Sequence, residues 1–126
     1  MNVLLDTCAL LALARGELPR EAAAALRSAA EAHVSVVTAW EVAIKVARGR
    51  LQLKAPPAAW FQGLAERYKL SEVPLDFRIA CAAAALPAIH GDPFDRVLVA
   101  LAQAHGLTIL TSDGHIPQYP GVKALW

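Results

Sequence analysis

Cysteine, aromatic side chains, excess charge and long apolar runs are all scarce in this chain, and each shortage removes a class of protein. The two cysteines, Cys8 and Cys81, lie far apart, outside any CxxC pair and away from any spaced histidine. A disulfide framework and a thiolate zinc site are thereby excluded, and two buried, reduced thiols are expected. No apolar run reaches the roughly 18 residues that a membrane span requires, so no membrane association is expected. The leucine-rich opening does not read as a signal peptide, because Asp6 interrupts it and no basic segment precedes it. The expected location is cytoplasmic. A net charge of +1 excludes a wholesale electrostatic grip on nucleic acid but leaves room for a local patch. GxGxxG, the P-loop and G-x-S-x-G are all missing, which removes the common nucleotide loops and the nucleophile elbow.

What the chain has in abundance is alanine, 27 of its 126 residues, within a hydrophobic fraction of 56%. That favours helices over an all-β fold, and the length suits one domain, residues 1–126, with its own core. Short β-branched or leucine-rich runs alternate with long amphipathic ones. Asn2–Leu5, His33–Val37, Ser71–Leu75, Thr108–Thr111 and Val122–Leu125 read as strands. Helices are predicted over Cys8–Ala14, from Pro19 to about Ala32, over Thr38–Arg48, from Pro57 to Tyr68, over Asp76–Leu86 and from Pro93 to His105. This alternation predicts an α/β fold, a three-layer α/β/α sandwich around a parallel sheet of four to five strands.

In open parallel sheets, ligands gather at the carboxyl ends of the strands. The residues that follow the strands are acids: Asp6 after the first, Glu41 in the first turn of the helix after the second, and Asp113 after the fourth. Asp95 opens the helix that feeds the fourth strand, which must begin at the same edge. Four of only 11 acidic residues therefore share one edge. Each also has a capping explanation. Thr38 to Glu41 matches a capping box, and Glu41 can pair with Lys45. Asp92 and Asp95 suit the N-cap and third position of a helix opened by Pro93, Asp6 suits a cap, and Asp113-Gly114 suits a turn. Four caps need not share an edge, however, and crowded carboxylates repel unless a cation sits among them. Hard oxygen donors suit Mg²⁺ or Mn²⁺, which activates water and neutralises phosphoryl charge. Thr7, Thr38 and Ser112 adjoin the acids as supporting hydroxyls.

Between Val42 and Lys69 stand six basic residues, Lys45, Arg48, Arg50, Lys54, Arg67 and Lys69, against the single acid Glu66. They read either as a solvated helix face or as a surface that tracks phosphates toward the acids, with Lys45, Arg48 and Arg50 as its binding residues. Trp40, Trp60, Phe61 and Tyr68 in the same region read as core or interface residues, and His90 and His115 as turn residues.

Three blocks resemble the PIN-domain toxins of VapC type from bacterial type II toxin–antitoxin systems: NVLLDTCALLALA, VVTAWEVAIKVARGRL and HGDPFDRVLVALAQAHGLTILTSD. The last is the most specific, and together they span nearly the whole chain. The resemblance implies a PIN-like sandwich and a Mg²⁺- or Mn²⁺-dependent endoribonuclease with Asp6, Glu41, Asp95 and Asp113 as its acidic quartet. It also implies a homodimer and inhibition by a small antitoxin. Cys8 departs from the pattern, standing where related sequences often carry histidine, which bears on packing and not on the metal ligands. Two other classes compete with this reading. A phosphoacceptor signalling domain would use Asp76, after a central strand, as nucleophile, but it needs paired acids after the first strand, where Asp6 is followed by Thr7. A catalytically silent scaffold that only binds a partner is disfavoured by the intact quartet.

Overall fold

A computed structural model describes residues 1–126. Five short strands, β1 (Val3–Leu5), β2 (Ala32–Val34), β3 (Leu70–Glu72), β4 (Thr108–Leu110) and β5 (Lys123–Leu125), form one parallel sheet in the order β3-β2-β1-β4-β5. Six helices connect them: α1 (Thr7–Arg15), α2 (Arg20–Ser28), α3 (Val36–Ala47), α4 (Pro57–Tyr68), α5 (Phe77–Ala84) and α6 (Pro93–His105). A 3₁₀ turn at Ile116–Gln118 precedes β5. The doubly wound sandwich expected from the alternation is present, with the sheet at the upper end of the expected strand number.

The layers follow from the two-residue period of the strands. Val3 and Leu5 point to a core shared with Leu10 and Leu13 of α1, Ala25 of α2 and Leu64 of α4. Leu4, between them, points to the opposite core, with Ile79 of α5, Leu98 and Leu101 of α6, and Ile109 of β4. All three residues of β1 are fully buried, as a central strand covered on both faces requires. Each leucine so buried contributes roughly 1.5–3 kcal/mol.

Several boundaries differ from the sequence reading. The second strand ends at Val34, and the valines at 36 and 37 open α3 instead of extending the strand. The cause is Ser35, which does not lie within a strand. Its hydroxyl accepts from the Val37 N–H at 3.1 Å and caps the helix. Glu41 consequently sits in the second turn of α3, and the Thr38–Glu41 capping box does not form. Helix α2 stops at Ser28, because the chain must extend to bring Ala32 into register with Val3 and Leu70. The third strand covers Leu70–Glu72, ahead of its expected place, and lies at the sheet edge. Asp76 therefore follows an edge strand, not a central one, and its carboxylate accepts from the Ile79 N–H as the cap of α5. A phosphoacceptor reading, which calls for an acid after a central strand, is therefore not met by Asp76. Cys8 and Cys81 are exposed, not buried, because both occupy solvent-facing positions of their helices.

Candidate metal centre

The register of β1 and β4 begins the site. Leu5 pairs with Leu110, so the next residues outward, Asp6 and Thr111, leave the sheet side by side, and the Asp6 N–H donates to the Leu110 carbonyl at 3.2 Å. Asp6 is 2% exposed. Its Oδ1 accepts from the Ala9 N–H at 2.8 Å, so the capping role and the site role belong to one carboxylate. Burial pushes the Asp6 carboxyl above its ordinary range; the Thr111 side chain and the Ala9 N–H pull it back, and the charges of Asp113 and Glu41 add to the rise.

Helix α3 brings Glu41 to the same place. Glu41 is buried, with Oε1 accepting from Thr7 Oγ1 at 2.6 Å and Oε2 accepting from Lys45 Nζ at 2.7 Å. That hydrogen bond, against the cost of desolvation, holds the Lys45 ammonium above its usual range. The expected Glu41–Lys45 pair therefore exists, but inside the site, where it leaves Glu41 tied to two donors. Thr38, one turn before Glu41 on the same face of α3, is 1% exposed, and its Oγ1 has no hydrogen-bond partner in the protein.

Asp95 stands at the third position of α6, behind Pro93 and the cap Asp92, whose Oδ1 accepts from the Asp95 N–H at 3.0 Å. The carboxyl of Asp95 is pushed up to about 6. Burial is the largest cause and the Asp92 charge the next; His90 opposes them, and Asp113 and Asp6 add to the rise. Asp113 is the outermost of the four. Burial works to raise it, but the backbone N–H groups of His115 and Ile116, joined by the His115 imidazole, hold it below the ordinary range. Its Oδ1 accepts from the His115 N–H, so the expected turn is also real. Across the carboxyl edge of the sheet, Asp6 feels the charges of Asp113 and Glu41, and Asp95 those of Asp113 and Asp6.

This donor set fits a hard divalent cation. Four carboxylates offer oxygen ligands, burial and then the neighbouring charges raise Asp6 and Asp95, and the unpartnered Thr38 hydroxyl lies beside Glu41. Thr7 supports the site as expected. Ser112 is exposed, whereas its neighbour Thr111 is 4% exposed and its Oγ1 accepts from the Asp113 N–H at 3.0 Å. Strand alternation extended past Leu110 would have pointed to Thr111. His90 is more than the turn residue its position suggests, since its ring bonds both Asp95 and Tyr119 and stacks on His115 at 4.9 Å. Ligand atoms of His90, Asp113 and His115 come within 4.8 Å of one another at the outer side of the acids.

The basic segment divides. Lys45, Arg48 and Arg50 line a hollow of about 300 Å³ together with Glu41, Asp92 and Phe94, next to the acids. Lys69 lies elsewhere, at the foot of β3, beside a larger apolar hollow of about 640 Å³ that Leu13, Leu18, Leu26 and Tyr68 line at the amino edge of the sheet. Trp60, Phe61 and Tyr68 pack against a core, as expected, but Trp40 is 62% exposed and touches Phe94 edge-on at 5.6 Å.

Fold and site together define a doubly wound α/β domain with an acidic centre at the carboxyl edge of its parallel strands. The PIN domain profile matches residues 3–122, and the chain belongs to the PIN-domain family. It is 32% identical over 112 residues to Ribonuclease VapC22 of Mycobacterium tuberculosis, a match covering 86% of this chain and 85% of that protein. Among solved structures, it resembles VapBC2 from Rickettsia felis bound to a promoter DNA fragment. The TM-score is 0.73 at 14% identity, over 99% of this chain and 98% of that one. FitAcB from Neisseria gonorrhoeae gives 0.64 at 19% identity, over 100% and 97%. At these identities the two structures bear on the fold alone.

Proposed function

We propose that this protein is a Mg²⁺- or Mn²⁺-dependent endoribonuclease, the toxin of a toxin–antitoxin pair, with Asp6, Glu41, Asp95 and Asp113 as its catalytic and metal-holding residues. The observation that carries this reading is the convergence of four acids at one sheet edge, where burial and neighbouring charges raise Asp6 and Asp95, next to a hollow lined by three basic side chains. The kinship with Ribonuclease VapC22 gives the substrate class.

When bound, the cation supplies activation of water and neutralisation of charge on the phosphoryl oxygens. The chain's own residues do the rest. Asp6 and Glu41 are held in place before any ligand arrives, by the Ala9 N–H in one case and by Thr7 and Lys45 in the other. Asp95 is ionised at neutral pH, above its pKa of about 6, and so is ready to act as a ligand. Arg48 and Arg50 extend the positive lining of the hollow, where guanidinium groups suit phosphate oxygens. RNA thereby approaches by its backbone, and the substrate in this reading is a single-stranded or looped segment.

The partners in this reading are RNA, a small antitoxin protein and a second copy of the chain. The antitoxin is supported by solved relatives that are VapBC assemblies. The homodimer is supported by uncovered apolar side chains, with Phe77 94% exposed and Trp40 and Val36 also open to solvent. No helix is long and apolar enough to cross a membrane. A cytoplasmic location is part of the same proposal, as the compartment where RNA is met.

The test is cleavage of a single-stranded RNA by metal-free protein, with Mg²⁺ or Mn²⁺ then restored. Cleavage that needs the ion and disappears in Asp6→Asn supports the reading. Asparagine caps a helix as well as aspartate, so the fold survives that change. Undiminished cleavage in a verified metal-free preparation would overturn it.

A further inference from the structure

A chain of four side chains runs from the end of α5 into the acidic site. Arg96 is fixed first. Its Nη1 donates to the Pro87 carbonyl at 2.8 Å, and its Nη2 donates to the carbonyls of Leu86 at 2.8 Å and Ala84 at 3.4 Å. These carbonyls close α5, where a cation is favoured by the helix dipole. The same Nη1 donates to the Tyr119 hydroxyl oxygen at 3.2 Å. Tyr119 Oη lies 2.7 Å from His90 Nδ1, and His90 Nε2 lies 3.2 Å from Asp95 Oδ2.

The hydrogen-bonding inventory gives this chain a direction. A guanidinium only donates, so the Tyr119 oxygen accepts from Arg96. Tyr119 is 2% exposed, and its hydroxyl has no other protein partner, so its proton points to His90 Nδ1. With Nδ1 accepting, a neutral imidazole carries its proton on Nε2 and donates it to Asp95. One lone pair of Oδ2 is thereby occupied. The imidazole also stacks on His115, with 12° between the planes. His115 Nδ1 in turn lies 3.2 Å from Asp113 Oδ1, so the stack ties two of the four acids together.

We propose that Arg96, Tyr119 and His90 are positioning residues that lock Asp95 in the orientation a divalent cation requires, by fixing the His90 tautomer with its proton on Nε2. The proposal rests on the reading of Asp95 as a metal-holding residue. It gives His90 and Tyr119 a role through Asp95, with both His90 ring nitrogens engaged by protein partners, and it makes the Tyr119 hydroxyl the element that selects the tautomer. Outer partners of this kind typically contribute about 10- to 100-fold in metal affinity.

The first readout needs neither metal nor substrate. Long-range ¹⁵N correlation spectra of the imidazole at pH 8 should show His90 protonated on Nε2 and bare on Nδ1. A proton on Nδ1 would overturn the proposal. The second readout is Mn²⁺ binding by titration calorimetry on the full chain. Tyr119→Phe keeps the ring in the core, and its Mn²⁺ Kd should rise about 10-fold. His90→Ala, outside the core, should lose as much or more, while His90→Gln, whose amide offers an N–H to Asp95, should recover part of the loss. Wild-type affinity in folded Tyr119→Phe or in His90→Ala, with affinity lost in Asp95→Asn, would overturn the positioning role and leave the site reading standing. Unchanged affinity in Asp95→Asn itself would overturn both.

Discussion

Thr7 and Glu41, 34 residues apart in sequence, are joined by a buried 2.6 Å hydrogen bond between the threonine hydroxyl and one carboxylate oxygen. The bond links the first residue of α1 to the second turn of α3, so the two helices that follow β1 and β2 are locked at the same edge of the sheet. The other Glu41 oxygen takes its proton donor from Lys45, which reaches the site from partly exposed ground.

Thr7→Val, which keeps the shape and removes the donor, leaves that oxygen buried without a partner. The expected loss is about 1–3 kcal/mol of unfolding free energy. Thr7→Ser should retain most of it. Urea unfolding at pH 7 measures the difference, and a Thr7→Val midpoint equal to wild type would show that the bond contributes nothing net.

Asp92 and Asp95 separate the capping role from the site role. Asp92→Ala removes the side chain that accepts from the Asp95 N–H and should cost about 1 kcal/mol while leaving Mn²⁺ binding largely intact. Asp95→Asn should abolish RNA cleavage. Loss of activity in Asp92→Ala together with retained activity in Asp95→Asn would move the third acid by one helical turn.

The pH dependence has a definite sign. Asp95 titrates near 6 in the fold against an ordinary 3.8. Below about pH 4 it is protonated in folded and unfolded chains alike and makes no difference to stability. Between about 4 and 6 only the unfolded chain releases the proton, so this component of stability falls as pH rises. Above 6 the full cost of the ionised group is present. Metal-free Asp95→Asn should therefore gain in melting temperature relative to wild type from pH 4 to pH 7. A constant difference across that range would contradict the raised pKa. For the same reason, Mn²⁺ affinity of the wild type should weaken below about pH 6.

Charge reversal at Arg48 and Arg50 should lower RNA affinity. The salt dependence of binding should also fall by roughly one unit for each phosphate that is no longer neutralised. Lys69→Glu, at the opposite sheet edge, should leave both unchanged. Filter binding at several salt concentrations distinguishes the two positions, and equal effects would assign the whole basic segment to nonspecific attraction.

Phe77→Glu should shift the protein toward a folded monomer in light scattering at micromolar concentration, because a side chain 94% exposed in the single chain supports no core. A dimer that survives this substitution unchanged would place the interface elsewhere.

The local rules written in the sequence settle much of this protein. Alternating strand and helix patterns dictate the parallel sheet, and that topology brings Asp6, Glu41, Asp95 and Asp113 to one edge before any coordinate is known. The Asp92 cap and Pro93 set the start of α6 as read. Local pattern misplaces the start of α3, because two β-branched valines look like strand and only the Ser35 cap turns them into helix. It also sets Cys8 and Cys81 inside, since residue type alone does not say which face of a helix meets solvent. The tertiary structure decided what depends on contacts between distant segments. Thr111 stands beside the acids because the β1–β4 register brings it next to Asp6. Lys69 parts from Arg48 and Arg50 because α4 carries the chain back to the far edge of the sheet. The link from Arg96 through Tyr119 and His90 to Asp95 spans the end of α5, the start of α6 and the turn before β5. No periodicity encodes such a chain, because its hydrogen bonds depend on distances that arise only when those three segments pack together.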